Sequence, residues 1–178
     1  MTELLLALAL GATALSSFPR DAGGRIAAPA VAAVVGGGPA VVVAAGDRLA
    51  GFRADGSPVA GLPLALGEGE EAAGAPAAAD MDADGRHELA VVTRSGKLFL
   101  WVGGGVVPGF PVKLGAPVKA GVSFGDVDGD GRPELLVGDE KGRVHALKRN
   151  GRQPVGWPAT VGCVVTSSAS TSNLAGGR

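Results

Sequence analysis

The chain has 178 residues, enough for one domain with a buried core, and nothing in it calls for two. Gly 31 and Pro 12, with no Tyr and 4% aromatics, exclude a mainly helical protein, because helix interiors tolerate neither Gly nor Pro; many short strands between turns are favoured. The formal net charge is -1, and the basic residues are scattered singly with few aromatics between them, which argues against a nucleic-acid partner.

Residues 1–17, MTELLLALALGATALSS, form an apolar amino-terminal segment. The run from Leu4 to Leu15 has the length of a signal-peptide core and ends near small residues, yet its head carries Glu3 and no Lys or Arg. It also resembles a strand that follows a loop, so a cleaved signal and part of a blade both stay open. No stretch reaches the roughly 20 apolar residues that span a bilayer.

From residue 18 to 178 the chain repeats itself. An apolar residue followed by Pro recurs at Phe18-Pro19, Leu62-Pro63, Phe110-Pro111 and Trp157-Pro158, at intervals of 44, 48 and 47 residues. The segments beginning at Gly38, Arg86 and Arg132 track one another almost residue for residue, giving repeats over about 18–63, 64–111 and 112–158 and a partial one over 159–178. Within a repeat four strands are expected, as in KAGVSFG, PELLVG, RVHALK and GFPVKL. Asp55-Gly56, Ser95-Gly96, Lys141-Gly142 and Asn150-Gly151 supply the turns. A period in this range with several short strands per unit predicts an all-β fold: β-propeller blades, each a four-stranded antiparallel meander that must stack on its neighbours. Phe52, Trp101 and Leu147 share a third-strand position and are expected in the core between blades.

Two phrases inside the repeats carry chemistry: DMDADGRHELAVV from Asp80 and DVDGDGRPELLVG from Asp126, 46 residues apart. They hold eight of the 17 acids, leaving nine for the rest of the chain against 16 Lys and Arg in all. Carboxylates at positions 1, 3, 5 and 9, a backbone carbonyl at 7 and Gly at 6 for a sharp bend make an oxygen-only set suited to Ca²⁺. The ligands expected are Asp80, Asp82, Asp84, Glu88 and the Arg86 carbonyl for one ion, and Asp126, Asp128, Asp130, Glu134 and the Arg132 carbonyl for a second. An EF-hand would need Glu at position 12, where Val91 and Val137 stand.

FGDVDGDGRPELLVG, with GAP at Gly115–Pro117 and again at Gly74–Pro76, resembles the FG-GAP or VCBS-type repeat of integrin alpha-subunit propellers and of many bacterial surface and secreted proteins. That resemblance implies a calcium-binding propeller, located extracellularly, at the cell surface or in the periplasm, that serves adhesion, ligand binding or scaffolding toward a protein or glycan partner. Its alternative is the propeller portion of a secreted polysaccharide lyase or hydrolase. Richness in Arg and Ala suits a bacterial source. The first repeat departs from the pattern, with VVGGGPAVVV where the loop should stand, and SNLAGGR keeps only an echo of it, so neither is assigned calcium. Three full repeats are fewer than the four to eight blades of a propeller. An open, truncated arc is therefore expected, with edge strands that associate with one another or with the remaining blades of a longer chain.

No catalytic residue is assigned. His145 is expected as a packed strand residue, and His87 as a surface residue beside the first acidic loop, since hard Ca²⁺ prefers oxygen. Cys163 excludes an internal disulfide and is expected to be a small buried residue in GCVVT.

Overall fold

A computed structural model describes residues 19–169. The amino-terminal segment 1–17 and the echo in SNLAGGR lie outside these residues. Among the described residues there is no helix, and three antiparallel sheets follow one another along the chain. The first contains β1 (Val31–Val35), β2 (Gly38–Ala45), β3 (Arg48–Phe52) and β4 (Leu64–Ala65), in that order. The second contains β5 (Ala77–Ala79), β6 (Glu88–Val92), β7 (Lys97–Val102) and β8 (Gly105–Val106), with β9 (Val112–Lys113) also on β7. The third runs β10 (Ser123–Gly125), β11 (Glu134–Gly138), β12 (Arg143–Leu147) and β13 (Ala159–Thr160). Sequential meanders of this kind are propeller blades, and the three form an open arc, a partial propeller.

Alternation along the strands explains how the sheets stack. In a strand successive side chains point to opposite faces. Leu89 and Val91 of β6 therefore join Val42, Leu49 and Val59 in a core against the first sheet, while Ala90 and Val92 join Leu135, Val137 and Leu147 against the third. Every residue of β6 is buried, as a sheet covered on both faces requires. Trp101 is 1% exposed in the first of these cores and Leu147 is fully buried in the second; Phe52, half-buried, packs on a third cluster with Val43 and Ala50.

The turns follow the glycine punctuation. Gly56, Gly96, Gly142 and Gly151 all have positive φ. Between β1 and β2, Gly36 and Gly37 have φ of 56° and 87°, the pair of left-handed residues that a two-residue type I′ hairpin demands. A two-residue turn thus stands in the first sheet where the other two carry eight-residue acidic loops, 80–87 and 126–133. The Pro-containing strands are shorter than the sequence suggests: β4, β9 and β13 begin just after Pro63, Pro111 and Pro158. The peptide bonds into these three prolines are cis.

One expectation is corrected. Cys163 is exposed, not buried. The stretch that holds it, 161–169, forms no strand, so no sheet pairing turns its side chain inward; its backbone lies close against Gly142 instead.

Candidate metal centre

Each acidic loop bends back over its own first carboxylate. In the first, the backbone amides of Asp84 and Gly85 donate to the two oxygens of Asp80, at 3.1 and 2.8 Å. In the second, Gly129 and Gly131 donate to Asp126, at 2.7 and 2.9 Å. Gly85 and Gly131, both at φ 83°, make the bend at position 6. The amide of Gly85, the largest influence, holds the Asp80 carboxyl below its usual range; partial burial opposes it.

The strand after each loop supplies a buried carboxylate. Glu88 and Glu134, the first residues of β6 and β11, are 0% and 1% exposed. Each accepts one backbone amide from the loop's start: Met81 N to Glu88 Oε2 at 2.8 Å, and Val127 N to Glu134 Oε2 at 3.0 Å. Burial pushes the Glu134 carboxyl up, helped by the charges of Asp128 and Asp130 and opposed by the Val127 amide.

The fold thereby gathers Asp80, Asp82 and Glu88 into one triad and Asp126, Asp128 and Glu134 into another, each with carboxylate oxygens within 4.8 Å of one another, close enough to share a metal ion. Asp84 and Asp130 stand outside these triads; their Oδ1 atoms accept the backbone amides of Arg86 and Arg132, at 2.8 and 2.9 Å. The donor set is hard oxygen throughout, and Asp82 Oδ1 is buried with no hydrogen-bond partner. A buried carboxylate oxygen left unsatisfied is costly, and a cation would satisfy it. The residues present fit a hard divalent ion.

Two cations that the sequence analysis did not single out sit on these carboxylates. Lys148 Nζ lies 2.6 Å from Asp128 Oδ2 and 2.7 Å from Asp130 Oδ2 in the same sheet, which raises the lysine pKa and lowers that of Asp130. Arg149 crosses from the third sheet to the first loop, with Nη2 2.9 Å from Asp82 Oδ2 and Nε 2.9 Å from Glu88 Oε1. The sequence signal was their place immediately after the third-strand core residue Leu147, where the turn returns to the loop side of the sheet.

The opposite turns carry buried polar clusters of another kind. Asp139, fully buried, accepts His145 Nε2 at 2.9 Å and Arg143 Nη2 at 2.7 Å; burial alone would raise its pKa, but these hydrogen bonds outweigh it and bring the carboxyl to about 2. His145 is buried at 2% exposure, with Gln153 Nε2 3.3 Å from its Nδ1. His87 joins the first two sheets: its Nδ1 accepts Val34 N at 3.3 Å and its own amide donates to Val34 O.

Residues 80–137 match the FG-GAP-like repeat family, a span that contains both acidic loops, β6 and all but the last residue of β11. Among solved structures, BBS1N in complex with ARL6DN is similar in fold in two crystals. In one, at 16% identity and a TM-score of 0.55, the match covers 74% of this chain and 39% of that one; in the other, at 17% and 0.53, it covers 71% and 37%. BamB from Moraxella catarrhalis is similar at 20% identity and a TM-score of 0.53, over 80% of this chain and 39% of that one. The chain spans about two-fifths of the length of these structures. A search of curated proteins found no match. Fold and repeat together define a propeller module that carries an FG-GAP-like repeat. No helix among the described residues is long and apolar enough to cross a membrane.

Proposed function

We propose that this chain is a noncatalytic propeller segment stapled by two calcium ions, which presents its loops for adhesion, ligand binding or scaffolding outside the cytoplasm. The observation that carries the reading is the pair of oxygen-only triads at matching positions of two blades, one with a buried carboxylate oxygen that nothing in the protein satisfies. Asp80, Asp82 and Glu88 would hold one ion and Asp126, Asp128 and Glu134 the other, with Asp84, Asp130 and the carbonyls of Arg86 and Arg132 as further donors. Bound calcium supplies a positive charge that joins the end of one strand to the start of the next. The noncatalytic part of the reading is supported by His145, whose ring is buried and engaged with Asp139, and by His87, which ties two sheets together. An extracellular protein or glycan is the partner class this reading implies.

The test is thermal unfolding in calcium and in excess EGTA, with Asp82→Ala and Asp128→Ala alongside. At free calcium near 100 times Kd a single site adds about 2.7 kcal/mol. At about 2–4 °C per kcal/mol for a chain of this size, that is a rise of about 5–11 °C for each occupied site, so each variant, with one site left, should keep about half of the parent's rise. An identical melting temperature with calcium and with chelator would refute the metal reading.

A further inference from the structure

The two triads differ in where their counter-charge comes from. Lys148 reaches Asp128 and Asp130 within its own sheet, so when one of these carboxylates turns to a metal the other still holds the ammonium. Arg149 is held differently, because both carboxylates it ion-pairs with, Asp82 and Glu88, belong to the first triad and to the neighbouring sheet, while Asp84, outside that triad, acts on it at longer range. The guanidinium and a metal ion would draw on the same two carboxylates. The arginine also borders a cleft of about 370 Å³ between the two loops, flanked by Met81 and Pro133, so it has room to leave.

We propose that Arg149 is the exchangeable counter-cation of the first triad: a divalent cation enters there by displacing an ion pair that ties the third sheet to the second. The inference rests on the calcium reading of that triad. Thermodynamic linkage then makes the effect reciprocal, since whatever factor Arg149 takes from calcium affinity, calcium takes from the clip between blades. Calcium would tighten the loop within its blade while loosening that blade from the next.

Calorimetric calcium titration of the full chain carrying Asp128→Ala, which isolates the first triad, tests this with and without Arg149→Gln. Removing the competing cation is expected to tighten calcium binding by about tenfold, inside the usual 5- to 150-fold span of coupling between sites. Lys148→Gln in the same background is expected to leave that affinity unchanged. Arg149→Lys, which keeps the charge but loses the two-armed grip, is expected to fall between, and serves if the glutamine variant does not fold. Calcium bound equally well, or less well, by Arg149→Gln would overturn the inference while sparing the calcium reading. No calcium binding in any variant or in the unsubstituted chain would overturn both.

Discussion

The fourth position of the two acidic loops offers a matched pair of substitutions whose effects follow from backbone geometry. Ala83 has φ 61°, the one described non-glycine residue with positive φ, while its counterpart Gly129 has φ 77°. A Cβ at Gly129 would meet nothing within 4 Å, so Gly129→Ala isolates the conformational term from packing. An L-residue in the left-handed region costs about 1–2 kcal/mol. Replacing Gly by Ala returns about 0.4–1 kcal/mol through the lower entropy of the unfolded chain. Taking about 1.5 against about 0.7, Gly129→Ala should destabilise by about 0.8 kcal/mol and Ala83→Gly should stabilise by about the same amount. The corresponding shifts are about 2–3 °C in melting temperature, opposite in sign. Urea and thermal unfolding in excess EGTA measure both without interference from metal. Shifts of the same sign, or a stabilised Gly129→Ala, would show that contacts rather than φ govern this position and refute the reasoning.

Two further substitutions probe the core and the buried carboxylates. Trp101→Ala removes the largest fully buried side chain among the described residues, in the core between the first two sheets, and should cost about 3–5 kcal/mol by urea unfolding; a loss below about 1 kcal/mol would mean that the sheets do not rely on this contact. Glu70 accepts Lys97 Nζ at 2.7 Å and Ser95 Oγ at 2.6 Å, and these partners, the lysine foremost, bring its carboxyl down to about 2. A carboxylate with a depressed folded pKa contributes stability that is present above the ordinary carboxylate range and is lost as pH falls toward about 2. The acid-side fall in urea midpoint should therefore be shallower in Glu70→Gln than in the parent. Asp139, depressed in the same way, keeps it from vanishing. An unchanged slope would remove Glu70 from the acid response.

The fold was legible where the sequence repeats a physical requirement. The apolar-Pro pairs Leu62-Pro63, Phe110-Pro111 and Trp157-Pro158 each lead into a short edge strand, and a Gly at each tight turn accepts a φ that other residues resist; Gly56, Gly96, Gly142 and Gly151 all adopt it. The acidic phrases placed both loops because their spacing is local. The cations upon them are not local. Arg149 lies 61 residues from Glu88, and that contact becomes visible only once the third sheet is stacked on the second. The fourth strand of the middle sheet was legible only in part, since β8 and β9 pair with opposite ends of β7 and leave a loop between them. Cys163 misled because an apolar cluster such as GCVVT reads as a strand, whereas a buried strand also needs a partner, and that stretch has no strand pairing in the described residues.

Why Arg149 must come from the next sheet follows from the residue after each third-strand core position. After Phe52 stands Arg53, whose guanidinium donates to Gly36 O in the turn of its own sheet. After Leu147 stands Lys148, which pairs with Asp128 and Asp130 of its own loop. After Trp101 stands Val102, which has no charge to offer and packs against the core shared with the third sheet. The middle blade therefore holds a buried carboxylate, Glu88, with no cation of its own at this position. A buried charge without a partner is costly enough to be removed or matched. The match comes from the hairpin of the following sheet. The three repeats thus meet one demand at one junction by three routes: a glycine turn that carries no acid, a loop neutralised from within its sheet, and a loop neutralised from the neighbour. Of the two acidic blades, the middle one depends electrostatically on the sheet that follows it.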